Sequence, residues 1–130
     1  MTAGPPIVID ASVVLARILK EPEAPEISSA RDGWLDDDRP LLVPAHFWLE
    51  VINRIRRVPG ANGERMLETV HRLDSFGIQT VESSRPMLIQ VIDRVERYGL
   101  TPYDAMYLAL AETVDGQLAT LDLTLATVAG

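Results

Sequence analysis

Four acidic residues occupy positions in the sequence where a carboxylate could take part in chemistry. Asp10 and Asp122 each follow a short apolar run, Asp104 opens a long apolar stretch, and Glu50 lies on the polar face of an amphipathic stretch. Carboxylate oxygens are the ligands that Mg²⁺ and Mn²⁺ prefer. An ion of this kind can activate a water molecule and neutralise the charge on a phosphodiester during in-line attack. The four residues are therefore candidates for a metal site.

Each of these acids also has a simpler structural explanation. Asp10 and Asp122 could cap the helices that follow them, because aspartate is a favoured N-cap residue. Asp104 lies in the first turn of its predicted helix, where an acid suits the helix dipole and can complete a capping box. Glu50 could pair with Arg54 one turn later on a solvated helix face. Taken singly, each residue leaves both explanations open.

Short apolar runs alternate with helical patterns along the chain, so strands and helices are predicted in turn. The predicted strands cover residues 7–9, 41–43, 78–81 and 118–121. The predicted helices cover residues 12–20, 23–35, 45–57, 63–75, 85–98 and 102–114, with a short helical segment at the end and a solvated acidic loop at 36–38. Strand runs that are apolar throughout are typical of a parallel sheet covered on both faces. We expect a three-layer α/β/α sandwich with a central, mostly parallel sheet.

The positions of the four acids along these elements favour one shared site over separate helix caps and an exposed ion pair. In open parallel sheets, ligands bind beyond the carboxyl ends of the strands. Asp10 and Asp122 lie at that end of their predicted strands, and a parallel sheet could bring all four acids to one edge. Carboxylates gathered there would repel and raise one another's pKa. Such a cluster needs a cation and marks function more often than structure.

Composition narrows the classes of protein that fit. The net charge of −7 argues against a protein that coats nucleic acid through phosphate contacts. With no cysteine and only His46 and His71, thiolate and histidine-rich metal sites are excluded, and His46 is interpreted as a surface or capping residue. A chain of 130 residues is expected to form one domain over 1–130. Without a secretory signal or a long apolar run, we expect it in the cytoplasm and not in a membrane.

Four short pieces of the sequence occur in an order that matches a known family. They are Val8-Ile9-Asp10-Ala11-Ser12, Leu49-Glu50-Val51-Ile52-Asn53, Leu100-Thr101-Pro102-Tyr103-Asp104-Ala105 and Ala119-Thr120-Leu121-Asp122. Together they resemble the PIN-domain family, and the VapC toxins within it, over nearly the whole chain. The resemblance implies a PIN-like fold and hydrolysis of RNA phosphodiester bonds. It also implies that Asp10, Glu50, Asp104 and Asp122 bind one or two Mg²⁺ or Mn²⁺ ions and carry the catalysis.

The resemblance extends to supporting residues and to partners. Ser12, Asn53 and Thr120 stand where the family often has polar residues that support the site. Arg54 and Arg57 share a helix face with Glu50 and could contact an RNA phosphate. VapC toxins usually form homodimers and are inhibited by a cognate VapB antitoxin, which often places an arginine in the acidic site.

Other protein classes fit the sequence less well. A phosphotransfer enzyme of the haloacid dehalogenase type needs a second acid two residues after the first, where this chain has Ser12. A receiver domain needs a lysine in a late loop, whereas the single lysine, Lys20, lies in the first predicted helix. A non-catalytic PIN-like module that binds RNA or protein is the main alternative, and the presence of all four acids disfavours it.

Overall fold

The computed structural model describes residues 4–19, Ser29 and 39–130 of the chain. The strands in these ranges are β1 (Ile7–Ile9), β2 (Leu41–Pro44), β3 (Ile78–Val81) and β4 (Gln117–Ala119). The helices are α1 (Ala11–Ile18), α2 (His46–Ile55), α3 (Gly63–Asp74), α4 (Arg85–Tyr98), α5 (Pro102–Thr113) and α6 (Leu123–Ala129). Apart from Ser29, the predicted helix over 23–35 lies outside the described residues, as does the predicted loop at 36–38.

The strands form one parallel sheet in the order β3-β2-β1-β4. Helix α5 packs on β1, β2 and β4, and α4 packs on α5, while α1 packs on α2. The predicted three-layer α/β/α fold with a central parallel sheet is therefore confirmed. Within the described ranges, no helix combines the length and the apolar character that crossing a bilayer requires.

The order of the strands creates a crevice at one place in the sheet. From β1 the chain adds β2 and then β3 on one side, whereas β4 joins β1 on the other side. The boundary between β1 and β4 is therefore the point where the direction of strand addition reverses. Ligands of open parallel sheets bind beyond the carboxyl ends of the strands at such a point. Asp10 follows β1 directly at this boundary.

The middle of α5 is buried on every side, so it carries no polar stripe. Every residue from Ala105 to Ala111 is buried, because α5 has the sheet on one side and α4 on the other. The predicted stripe of α2 is also confirmed at its centre, where Phe47, Val51 and Ile55 are buried.

The start of β4 depends on a close approach between two backbones. The Gln117 N–H donates to the carbonyl oxygen of Pro6 at 2.9 Å. A Cβ atom on Gly116 would lie 2.6 Å from the same oxygen, so a larger residue there would push β4 away from β1. Gly116 thereby sets the register in which Ile9 pairs with Ala119.

Candidate active site

Asp10 lies at the centre of the polar contacts beyond the sheet. Because Ile9 pairs with Ala119, the next residues along the two strands, Asp10 and Thr120, lie side by side. The Thr120 hydroxyl donates to Asp10 Oδ2 at 2.6 Å, and the Ser12 hydroxyl donates to the same oxygen at 3.1 Å. The Ser12 N–H donates to Oδ1 at 3.4 Å, so Asp10 also caps α1. Asp10 is therefore both the N-cap of α1 and a buried carboxylate.

Ser12 and Thr120 also tie the start of α1 to the loop that follows β4. The Ser12 hydroxyl accepts a hydrogen bond from the Leu121 N–H at 3.1 Å. The Thr120 hydroxyl accepts one from the Asp122 N–H at 3.0 Å. The hydroxyl that donates to Asp10 thus also fixes the backbone of Asp122, and the two acids are held in one hydrogen-bonded assembly.

Asp104 and Asp122 enter the site from helix N-termini. Thr101 caps α5 by accepting the Asp104 N–H at 3.2 Å, which places Asp104 in the first turn. Asp122 caps α6, its Oδ1 accepting the Leu125 N–H at 2.9 Å. Asp104 is half-buried and Asp122 is exposed. The predicted cap at Asp122 is therefore confirmed, and its second carboxylate oxygen is not used by that cap.

The charges of neighbouring acids contribute to the pKa values of Asp10 and Asp104. Burial is the main cause that raises the pKa of Asp10, the hydrogen bonds from Thr120 and Ser12 oppose it, and the charge of Glu50 adds to it. Burial also raises the pKa of Asp104, followed by the charges of Asp10, Asp122 and Glu50. The charges of the other three acids therefore act on the carboxylate of Asp104, as expected for acids gathered at one edge of the sheet.

Two residues that hold Glu50 were not predicted as part of the site. The Tyr107 hydroxyl donates to Glu50 Oε1 at 3.2 Å. His46 Nε2 lies 3.0 Å from the same oxygen, which satisfies the distance of an ion pair but not the angle of a hydrogen bond. Burial, followed by the charges of Glu50 and Asp10, raises the pKa of Tyr107. The phenol therefore stays protonated and remains a donor to Glu50.

The interpretation of His46 as a surface or capping residue is wrong. Its side chain is 18% exposed, and its ring contacts Tyr107 edge-on with centroids 4.9 Å apart. The N-cap of α2 is Ala45, without a side-chain hydrogen bond. The sequence contained a signal for the contact with Glu50. Residues four apart on a helix are neighbours on its surface, and His46 and Glu50 have this spacing.

The remaining predicted residues lie further along α2. Asn53 is exposed, and its Oδ1 accepts a hydrogen bond from Arg56 Nε at 2.9 Å. Arg54 and Arg57 are exposed, Arg54 on α2 and Arg57 just beyond its end. The supporting role of Asn53 and the phosphate contacts of the two arginines stay predictions.

The donor chemistry of this cluster fits a hydrated divalent cation. Its ligands would be hard, anionic oxygens whose mutual repulsion a cation would relieve. Among the residues that the structure describes, no three histidine or acidic side chains are arranged to hold one ion together. Mg²⁺ is usually held by one or two carboxylates and keeps several waters. The cluster therefore fits an ion with two direct carboxylate ligands, the other acids acting through water.

A model of the PIN domain matches residues 7–130 of the chain. The chain belongs to the PIN-domain family. Ribonuclease VapC9 of Mycobacterium tuberculosis and VapC ribonuclease Mb0985 of Mycobacterium bovis are each 32% identical to this PIN-domain chain over 127 residues, covering 92% of it and 87% of the relative. The chain is thus a relative of the VapC ribonucleases over almost its full length, and its family is one of nucleases that generally depend on divalent metals.

Solved structures share the PIN-domain fold at lower sequence identity. VapC20 of Mycobacterium tuberculosis, a toxin that cleaves the sarcin-ricin loop, has a TM-score of 0.75 at 13% identity, with 94% of each chain covered. A toxin–antitoxin complex from Klebsiella pneumoniae has a TM-score of 0.66 at 17% identity, with 89% of this chain and 86% of that chain covered. At these identities the likeness concerns the fold.

Proposed function

We propose that this PIN-domain protein is the toxin of a VapBC pair, an endoribonuclease that uses Mg²⁺ or Mn²⁺ to hydrolyse RNA phosphodiester bonds. The observation that carries the proposal is the coupling of four acids at the β1–β4 crevice, where the charges of Asp10, Glu50 and Asp122 raise the pKa of Asp104. The fold does not require acids that are more than a hundred residues apart in sequence to lie at the same edge of the sheet. The VapC ribonucleases to which the chain is related support the same reaction.

In the proposed site, Asp10 and Asp104 would hold the ion directly, and Glu50 and Asp122 would act through its waters. When bound, the ion supplies an activated water and neutralises the charge on the phosphodiester. Ser12 and Thr120 orient Asp10, because their hydroxyls fix Oδ2. The proton of the attacking water passes to a carboxylate or to solvent, and the products carry a 5′-phosphate and a 3′-hydroxyl.

Tyr107 and His46 have a positioning role in this scheme. Both contact Oε1 of Glu50, which leaves the other carboxylate oxygen for a water on the ion. Tyr107 is fully buried, so its hydroxyl is held in place by the packing of α5. Partners of this kind orient metal ligands, and their loss typically lowers metal affinity or activity by about 10- to 100-fold.

The proposal accounts for an RNA-cleaving protein with an acidic surface. A chain of net charge −7 cannot gain much affinity from phosphate contacts spread over its surface. Affinity would come instead from the metal and from two exposed arginines, Arg54 on α2 and Arg57 just beyond its end. We propose that these two arginines contact RNA phosphates.

The proposed partners follow from the same relationship. A VapB antitoxin would inhibit the enzyme, with a basic segment that places an arginine against the acidic cluster. The complex from Klebsiella pneumoniae, which has the same fold, contains a toxin and its antitoxin. We also propose that the chain forms a homodimer and acts in the cytoplasm, as VapC toxins generally do.

Cleavage of RNA by the purified protein, freed of antitoxin, tests the proposal. End-labelled RNA is incubated with Mg²⁺ or with EDTA, using wild type, Asp10→Asn and Asp104→Asn. We expect metal-dependent cleavage by wild type and a loss of about 100-fold or more in each variant, a loss at least as large as for residues that only support metal ligands. Asp115→Asn is the matched control, because Asp115 is exposed and its φ of 52° is tolerated by asparagine. RNA binding without cleavage by wild type would indicate the non-catalytic alternative, and cleavage retained in both variants would reject the site.

A further inference from the structure

Tyr103 presents an aromatic ring to solvent immediately beside the acidic cluster. It directly precedes Asp104 at the start of α5, and 63% of its surface is exposed. A large ring left this open at the first turn of an otherwise buried helix contributes little to the core. Its position next to a proposed metal ligand places it within reach of whatever the cluster acts on.

The ring of Tyr103 is supported from behind by a second ring. The His46 imidazole lies with its centroid 5.6 Å from that of Tyr103, at an interplanar angle of 54°. His46 in turn contacts the fully buried Tyr107 at 4.9 Å. Tyr103 is thus the outermost of three rings anchored in the core, so its orientation is defined while its outer surface stays open.

Base stacking is a suitable source of affinity for RNA, because the negative charge of this protein repels the RNA phosphates. Stacking of a base on an aromatic side chain is insensitive to net charge and tolerant of sequence, because every base has a π-face. Recognition of RNA in single-stranded loops commonly uses an unstacked base placed on such a ring. An exposed tyrosine beside the acids can supply affinity where phosphate contacts are few.

We propose that Tyr103, supported by His46, forms a stacking platform for the nucleobase next to the cleaved phosphodiester. The inference rests on the proposed ribonuclease function and adds a base-binding subsite to it. It requires that the RNA be single-stranded or unpaired at the cleaved bond, because a base within a duplex cannot lie on the ring. The substrate class is therefore RNA with an unpaired nucleotide at the cleavage position.

Steady-state cleavage of a short single-stranded RNA tests the platform. We compare wild type, Tyr103→Ala, Tyr103→Phe and Tyr103→Trp, with Tyr98→Ala as the control. Tyr98 is also an exposed aromatic residue, 41% exposed at the end of α4. Loss of the ring in Tyr103→Ala is expected to raise KM by about tenfold, the effect of losing one base stack, with kcat little changed. The Phe, Trp and Tyr98→Ala variants are expected to match wild type.

A second substrate ties the effect to a base. In this RNA the nucleotide beside the cleaved bond is replaced by an abasic one, and wild type should then show the raised KM of Tyr103→Ala while the variant changes no further. An unchanged KM in Tyr103→Ala, with wild type cleaving normally, would overturn the platform and leave the ribonuclease function standing. An unchanged KM together with weakened binding of the antitoxin would assign the ring to a protein interface and also overturn it. Absence of cleavage by wild type would count against the proposed function itself.

Discussion

Replacing Asp104 by asparagine should stabilise the metal-free protein and weaken its stabilisation by a divalent cation. In metal-free buffer near neutral pH, Asp104→Asn is expected to raise the free energy of unfolding above that of wild type. The reason is that burial and the charges of Asp10, Asp122 and Glu50 disfavour the ionised carboxylate of Asp104. The amide keeps the size of the side chain, and the hydrogen bond from the backbone N–H of residue 104 to the Thr101 hydroxyl is retained.

Adding Mg²⁺ should stabilise wild type more than it stabilises Asp104→Asn. A ligand that binds only the folded state stabilises it by RT ln(1 + [L]/Kd), which is about 1.4 kcal/mol for ~10 mM Mg²⁺ and a Kd of ~1 mM. For a chain of this size, that corresponds to a rise in Tm of roughly 5 °C. Wild type should show this rise, whereas Asp104→Asn should show less than half of it, because one of the carboxylates that attract the ion is gone.

Differential scanning fluorimetry with a titration of MgCl₂ measures both effects. The matched control is Asp115→Asn, which removes an exposed aspartate at a φ that asparagine tolerates; it should follow wild type at every concentration. NaCl at equal ionic strength separates site binding from general screening. If Asp104→Asn and wild type gained the same Tm from Mg²⁺, the reasoning that Asp104 shares an ion with the other acids would be refuted.

Three further predictions concern pH, the support of Glu50 and the core. Burial raises the pKa of Asp10 above 3.8, so between the two pKa values the folded state retains a proton that the unfolded state has lost, and its stability falls as the pH rises through that range. In urea denaturation with EDTA, Asp10→Asn should therefore gain stability relative to wild type as the pH rises above ~4. A difference that stays constant with pH would contradict this. Tyr107→Phe removes the hydroxyl that donates to Glu50 but keeps the ring, so the free energy of unfolding in urea should fall by about 1 kcal/mol; no change would mean that the bond adds no stability. Leu110→Ala opens a cavity at a fully buried position of α5 and should cost about 2–5 kcal/mol in the same assay, whereas a loss below about 1 kcal/mol would indicate a loosely packed core.

The gathering of the acids could be predicted because it depends on topology alone. Apolar runs that end in an acid predict parallel strands whose carboxyl ends share an edge, and the register of Ile9 with Ala119 brings the residue after each strand together. Ser12 and Thr120 were named in advance and lie against Asp10 for the same reason. Here the local pattern and the global fold point to the same arrangement.

Contacts between distant helices could not be predicted in the same way. Tyr107 was assigned to a buried helix as part of the core, and nothing in α5 alone indicates that its hydroxyl meets Glu50 of α2, 57 positions away in sequence. The partner is decided by how α2 and α5 pack around the sheet. The spacing of His46 and Glu50 indicates that the two residues lie close together, but the ring contacts of His46 with Tyr103 and Tyr107 could not be predicted, because these belong to another helix.

Element boundaries and exposed faces also needed the tertiary structure. The strand predicted over 118–121 ends at Ala119, because Thr120 turns its hydroxyl to Asp10. The apolar residues of α4, which was predicted as a helix over 85–98, are only partly covered, since Met87 and Val91 are buried but Leu88 and Ile92 are 48% and 66% exposed. The periodicity shows which side of a helix is apolar. How much of that side is buried depends on the elements that pack against it.

A crystal structure of the protein grown with Mn²⁺, with the ion located by its anomalous scattering, would show whether the acids share one ion. We expect an ion at the carboxyl edge of the sheet, in contact with both Asp10 and Asp104 at about 2.0–2.3 Å. Glu50 and Asp122 would contact it through its waters. An ion bound elsewhere, or one that Asp10 and Asp104 do not share at saturating Mn²⁺, would refute the shared metal site.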